Sequence, residues 1–194
     1  SLFETVDDTS LNWGSFLPAQ TKNLATFLGD AVAINKLNNK TSSKTLAAAA
    51  LGNSMGSQKT VIADVLAVAD FDELEKRKAE VIGKIVYYNS GFNVTNIHPF
   101  KSYGESGVYR RNGASRAAKY GAVGVMIRSL SESTDNFPHT GAMAYNDSFP
   151  KIPAVALGIQ DADIFWQLSK QNTISVSLLT HGKILPDTIG HNVI

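Results

Sequence analysis

Tyr109-Arg110-Arg111-Asn112-Gly113-Ala114-Ser115-Arg116-Ala117-Ala118-Lys119-Tyr120-Gly121-Ala122-Val123-Gly124-Val125-Met126-Ile127-Arg128-Ser129-Leu130 reads as a short helix running straight into a buried strand. Ala114, Ala117, Ala118 and Gly121 fall at i, i+3, i+4 and i+7, so one helix face carries only small residues and can lie close against a sheet. Gly121 is placed to close the helix. Val123 to Ile127 is apolar apart from Gly124 and is bounded by Gly121 before it and Arg128-Ser129 after it. That pattern predicts a strand covered on both faces.

Outward from this unit toward the C-terminus, Ser131 to Pro150 is a long irregular loop containing Pro138-His139-Thr140-Gly141. Ile152 to Leu157 predicts another buried strand, with Pro153 marking an edge or a strand start. Asp161 to Lys170 predicts a helix with Asp161 as N-cap and Ile164, Phe165 and Leu168 on one apolar face. Ile174 to Leu178 alternates apolar and polar, which is a strand with one wet face. Toward the N-terminus, Asn89 to Gly107 reads as a second long loop, preceded by a strand over Lys84 to Tyr88. Asp70 to Val81 has an acidic start, a basic middle, and Asp72–Lys76 and Glu73–Arg77 at i, i+4, so it predicts a surface helix ended by Gly83.

Thr60 to Ala69 is rich in Val, Ile and Leu and short enough for a strand. Thr45 to Leu51 is mostly Ala, which suits a helix, but the Gly-Asn-Ser cluster behind it equally suits the end of a strand. Residues 1–43 are the least regular: Leu24 to Ile34 fits two short strands around a turn, and Asn38 to Ser43 a polar loop. The reading gives six or seven strands with two or three helices between them. The expected fold class is α/β, mixed β with flanking helices.

Composition narrows the function classes. The chain has 194 residues, 43% of them hydrophobic, which supports a real core in one ordinary domain. Its formal charge of +1, from 18 basic and 17 acidic residues, leaves no electrostatic footprint for nucleic acid or an anionic membrane. No apolar run approaches the roughly 20 residues of a membrane helix. The absence of cysteine excludes a disulfide scaffold and thiolate metal sites. The chain opens at Ser1 rather than Met, which fits removal of a leader or trimming.

A search for chemistry returns mainly exclusions. His98, His139, His181 and His191 are scattered singly, without the His-Glu-x-x-His spacing that converges on zinc. There is no Gly-x-Ser-x-Gly elbow and no phosphate-cradling Gly-x-x-x-x-Gly-Lys-Ser/Thr loop. Gly121-Ala122-Val123-Gly124 follows a helix and precedes a strand, the reverse of a dinucleotide fingerprint. His139 is a candidate general base, although a turn histidine bonded to backbone is the commoner arrangement.

Several stretches in one order carry a family resemblance. They are Phe71-Asp72-Glu73-Leu74, Gly83-Lys84-Ile85-Val86-Tyr87-Tyr88-Asn89, Tyr109-Arg110 with Gly113-Ala114 and Ala117-Ala118-Lys119, Gly121-Ala122, Ile127-Arg128-Ser129-Leu130, Pro138-His139-Thr140-Gly141 and Pro150-Lys151-Ile152-Pro153-Ala154-Val155. Together they resemble the protease-associated domain of zinc exopeptidases of the plasma glutamate carboxypeptidase type. The resemblance implies a swivelling β/β/α domain over residues 44–186, an N-terminal extension over 1–43, and the start of a catalytic zinc-peptidase domain over 187–194, where His191-Asn192-Val193-Ile194 runs up to the family's His-x-Asp motif. It implies no cofactor in this chain, zinc in a parent catalytic domain, and hence no peptidase activity of this chain alone. The implied role is a lid and substrate-gating wall, in a secreted or periplasmic protein, with a peptide substrate, the catalytic domain and a homodimer contact as partners.

Arg110 occupies the place where relatives put an arginine that reaches a substrate carboxylate, a task that suits the planar, permanently charged guanidinium. An arginine near a helix start equally suits a structural or solvated role; Arg128, which also suits the capping of a strand end, and His139 complete the implied substrate-binding set. The alternative is a stand-alone module binding peptides or a partner protein through the loops 89–107 and 131–150; a free-standing hydrolase using His139 is a third reading. Asn39-Lys40-Thr41, Asn93-Val94-Thr95 and Asn146-Asp147-Ser148 match the glycosylation sequon, a pattern common by chance.

Overall fold

A computed structural model describes residues 29–37, 40–171 and 173–182 of the chain. The strands are β1 (Gly29–Leu37), β2 (Lys40–Leu46), β3 (Ala48–Ala50), β4 (Val61–Val68), β5 (Ile85–Tyr88), β6 (Gly124–Arg128), β7 (Ala154–Leu157) and β8 (Ile174–Thr180). Among the described residues three α-helices accompany them, α1 (Phe71–Lys76), α2 (Pro99–Ala118) and α3 (Ile159–Ser169). The strand order is β2-β1-β8-β4-β5-β6-β7-β3, with β4, β5, β6 and β7 parallel and the remaining pairings antiparallel. Only Ala47 separates β2 from β3, yet the two strands end opposite edges of this order. The sheet must therefore curl until its edges approach, which is how a twisted mixed sheet hides edge strands.

The curl creates two cores. On the helix-covered face, Val86, Tyr88, Val125, Ile127, Ala154 and Ala156 meet Ala114, Ala117 and Ala118 of α2 and Leu74 of α1. Inside the curl, Ile85, Tyr87, Met126, Val155 and Leu157 meet Val176 and Leu178 of β8 and Phe165 of α3. Alternate residues of the same strands serve the two cores, so β5 and β7 are buried throughout and β6 is buried up to Arg128. This matches the doubly covered strand expected around Val123 to Ile127. The alternation predicted for residues 174–178 also holds, and it extends to Thr180.

α1 begins at Asp70, whose Oδ1 accepts the Glu73 N–H at 2.7 Å, while Glu73 Oε2 accepts the Ala69 N–H at 2.8 Å. It is shorter than the predicted 70–81 helix, giving way to a 3₁₀ turn at Lys78–Glu80. Of the two i, i+4 pairs proposed there, Glu73–Arg77 forms at 3.3 Å. Gly121, at φ +87°, closes the C-terminal end of α2, and its carbonyl accepts the Gly83 N–H at 2.9 Å.

Several expectations are corrected. The polar loop expected at 38–43 gives way to β2 from Lys40 onward, because seven residues of β1 pair with β8 and offer their other edge to this segment. Residue 43 is therefore inside a strand of the shared sheet. Thr45 to Leu51 resolves as strand rather than helix: Ala48–Ala50 pairs with β7 and overrides alanine's helix propensity. Pro153 immediately precedes β7, which lies between β6 and β3, so of its two expected places the strand start holds and the edge does not.

The largest correction concerns α2, which starts at Pro99 instead of near Tyr109 and absorbs half of the expected 89–107 loop. Gly104 and Gly107 lower its intrinsic propensity, but Ser102 Oγ donates to Asn93 O at 2.8 Å and Ser106 Oγ to Gly91 O at 2.9 Å. Tertiary bonds hold a helix that propensity disfavours. In α3, Gly158 rather than Asp161 is the N-cap, and Ile164 faces outward. Residues 1–28 and His191-Asn192-Val193-Ile194, for which the sequence carries expectations, lie outside the described residues.

Candidate substrate-contact wall

Arg110 lies with Tyr103 on the face of α2 whose other residues are mostly small and buried. At about 100° per residue it falls within the arc bounded by Ser102 and Ala118, beside Ser106 and Ala114. A long cation in the middle of such a face cannot continue into the sheet, and it emerges against the loop after β6. There its Cζ lies 5.2 Å from the centroid of the Tyr103 ring, within cation–π range. A Cβ built on Gly141 would lie 2.8 Å from Cζ and Nη1, so the guanidinium occupies the space that a side chain at 141 would need. Nε of Arg110 is buried without a hydrogen-bond partner, and among the described residues no carboxylate pairs with this guanidinium.

The wall behind Arg110 is fixed by backbone. Gly141 O accepts the Gly52 N–H at 2.9 Å, and Gly52 O accepts the Met143 N–H at 2.9 Å. Thr140 Oγ1 donates to Ala50 O at 2.7 Å. The His139 N–H donates to Ser129 Oγ at 2.7 Å, and Ser129 Oγ donates to Leu157 O at 2.5 Å. The His139 side chain itself is exposed, on the same loop as Gly141. Near it, Asp135 is held below the usual carboxylate range by the Ser133 hydroxyl, the Phe137 N–H and the charge of His139.

Arg128 is placed differently. It leaves the end of β6 and forms an ion pair with Asp163 of α3, its Nη2 lying 3.3 Å from Asp163 Oδ2. Its side chain is 15% exposed and runs beside Gly91. Beneath it, burial pushes the pKa of the Tyr87 phenol upward, and its hydroxyl contacts Asn89 Oδ1 at 2.8 Å and Ala162 O at 3.0 Å. Of the three residues singled out in the sequence, Arg110 and His139 therefore share the wall formed by the 138–143 segment. Arg128 already holds a carboxylate.

Sequence reasoning missed Tyr103, Gly141 and Asp163 as the residues that define these environments. Tyr103 is seven residues, two helical turns, before Arg110, a signal readable only once the helix is extended back to Pro99. Also missed was an exposed apolar group leading into α2, where Ile97 is 92% and Phe100 88% exposed, with Val94 beside them.

Zinc, which the family resemblance implies, finds no fit here: among the described residues no three His, Cys, Asp or Glu side chains gather as a metal site. Among the described residues no helix is long and apolar enough to cross a membrane.

A curled mixed sheet with parallel β4 to β7 and α2 laid on one face is the architecture of a protease-associated domain of the zinc exopeptidases. Comparison with known proteins agrees. Mouse carboxypeptidase Q is 38% identical over 146 residues, covering 74% of this chain and 29% of the mouse protein, and human carboxypeptidase Q is 36% identical over the same coverage. The chain thus spans 29% of the length of these curated relatives. The solved structure of a Peptidase M28 precursor from Shewanella amazonensis matches with a TM-score of 0.71 and 26% identity, over 86% of this chain and 38% of that one. An aminopeptidase from Aneurinibacillus shares the fold at a TM-score of 0.53 and 14% identity, over 90% of this chain and 44% of its own. No family model matches. The chain is homologous to carboxypeptidase Q and has the protease-associated fold of its zinc exopeptidase relatives.

Proposed function

We propose that this domain is the non-catalytic lid of a zinc-dependent exopeptidase and that Arg110 supplies the wall's contact with a substrate carboxylate. One observation carries the reading: Arg110 is a half-buried guanidinium with an unpartnered Nε and no paired carboxylate among the described residues. An uncompensated, partly desolvated cation on a rigid wall is suited to take up an anion, and a planar fork takes a carboxylate through two parallel hydrogen bonds. His139 flanks this site from the same loop. Arg128 borders the substrate side in this reading, with Asp163 holding its charge. Zinc and the hydrolytic step belong to the catalytic domain of the parent, which acts outside the cell or in the periplasm.

The test uses the full-length protein that contains this domain and dipeptides with free or amidated C-termini. Arg110→Ala is expected to raise KM for the free acids roughly 10- to 100-fold, the worth of a hydrogen-bonded charge pair, while leaving the amides nearly unchanged. Equal KM values for wild type and variant on the free acids would sink the carboxylate role.

A second reading has its own support. Val94, Ile97 and Phe100 form an exposed apolar group at the start of α2, which suits an interaction module that binds a partner protein through the 89–107 segment.

A further inference from the structure

We infer that Gly141 and Tyr103 are positioning residues for Arg110, setting the guanidinium in one orientation between a glycine backbone and an aromatic ring. The inference rests on the carboxylate reading of Arg110 for its effect on substrate, and on packing alone for the orientation itself. An arginine side chain has four rotatable bonds and loses about 2 kcal/mol of rotamer freedom when it is fixed. Where an ion pair is absent, packing must supply that restraint, and here two features do.

Gly141 leaves a void that the guanidinium fills. A Cβ at 141 would sit 2.8 Å from Cζ and 2.8 Å from Nη1, closer than real Cβ atoms come, and 3.0 Å from Nε, tighter than most real Cβ contacts. Gly141 cannot retreat easily, because its carbonyl accepts from Gly52 and its neighbours bridge to residues 50–52. Any side chain there moves Arg110 instead of the wall. The Tyr103 ring, 5.2 Å from Cζ, provides the second support, and Phe92 packs edge-on against that ring at 6.2 Å between centroids. Ring and glycine together therefore fix the direction in which the guanidinium presents its outer nitrogens.

The experiment uses the full-length protein with four variants, Gly141→Ala, Tyr103→Leu, Tyr103→Phe and Arg110→Ala, plus the Gly141→Ala/Arg110→Ala double. In protein labelled with ¹⁵N-arginine, the Arg110 Nε–H resonance, assigned by its loss in Arg110→Ala, is expected to carry a ring-current shift that disappears in Gly141→Ala and Tyr103→Leu and is kept in Tyr103→Phe. On free-acid dipeptides, Gly141→Ala and Tyr103→Leu are expected to raise KM about tenfold with kcat little changed, since a displaced clamp loses orientation more than chemistry. Tyr103→Phe restores KM. In the Arg110→Ala background, Gly141→Ala is expected to add nothing, because its effect runs through Arg110.

An unmoved resonance in both Gly141→Ala and Tyr103→Leu overturns the positioning. A KM effect of Gly141→Ala that adds fully to that of Arg110→Ala also overturns it. A moved resonance with KM unaffected by Arg110→Ala keeps the positioning and rejects the carboxylate reading instead. Should Gly141→Ala fail to fold, the Tyr103 pair decides alone.

Discussion

Arg110 and Arg128 both emerge beside a loop glycine, yet their surroundings differ. A Cβ built on Gly91 would meet Arg128 only at ordinary contact distance, and Arg128 gives its charge to Asp163 on a neighbouring helix. Arg110 is pressed into the space left by Gly141, rests on an aromatic ring, and pairs with no carboxylate among the described residues. The same residue type thus serves two ends. A paired guanidinium ties elements of the fold together, whereas one held by packing alone keeps its hydrogen-bonding capacity for something that arrives later.

The largest effect that would break this comparison is expected at Phe165, which anchors the helix carrying Asp163. Its ring stacks edge-on against Tyr87 at 5.2 Å and is fully buried. Phe165→Ala is expected to cost roughly 3–5 kcal/mol in urea unfolding. A loss below about 1 kcal/mol would mean that α3 is not the support of the Arg128 side.

Next in size is the contrast between the two arginines. Arg110→Ala is expected to change stability by less than about 0.5 kcal/mol while weakening free-acid substrates. Arg128→Ala should do the reverse, costing about 1 kcal/mol with KM unaltered, a figure discounted because Asp163 is 61% exposed and its attraction is screened. Matching substrate defects in both variants would erase the distinction.

A pH experiment adds a third charge, Asp161, which is buried where the β2–β3 junction meets α3. Burial pushes its carboxyl up, but the hydrogen bonds from Lys44 Nζ at 2.5 Å and the Ala47 N–H at 2.6 Å, with Asn136 nearby, bring it below the usual range. A depressed folded value means that this contribution is complete above the unfolded pKa near 4 and is lost as pH falls through the lower folded value. Wild-type stability is therefore expected to decline below about pH 4 more steeply than that of Asp161→Asn, measured by urea midpoints between about pH 2 and 6. Parallel curves would remove Asp161 from the account.

The smallest effect is expected from Asp163→Asn, at or below about 1 kcal/mol, because the pair it breaks is half in water. It sharpens the comparison by leaving Arg128 unpaired. If the variant acquired a new preference for free-acid substrates, pairing would be the feature that separates the two arginines.

How much of this was legible beforehand depends on the range of the forces involved. The apolar run after Gly121 gave its strand because both of its faces are buried and every residue there has to be apolar. The alternation at 174–178 was equally local. Asp70 and Gly121 marked helix ends through bonds and backbone angles spanning only a few residues. The start of α2 was hidden, since Gly104 and Gly107 argue against a helix and only Ser102 and Ser106, bonded to the incoming chain, argue for one. Ala48–Ala50 was ambiguous for the same reason: its strand pairing with β7 comes from residues more than 100 positions away.

The candidate site divides along the same line. Sequence by itself determined an α/β pattern without a cysteine or a clustered metal motif, and the ordered stretches from Phe71 to Val155 marked the chain's kinship and pointed to Arg110, Arg128 and His139. Only the tertiary structure decided which arginine is paired. Asp163 lies 35 residues from Arg128, and Gly141 lies 31 from Arg110. Such contacts depend on how β6, α2 and α3 pack on one curled sheet, and charge pairing acts through space, with no pattern in the order of residues to announce it.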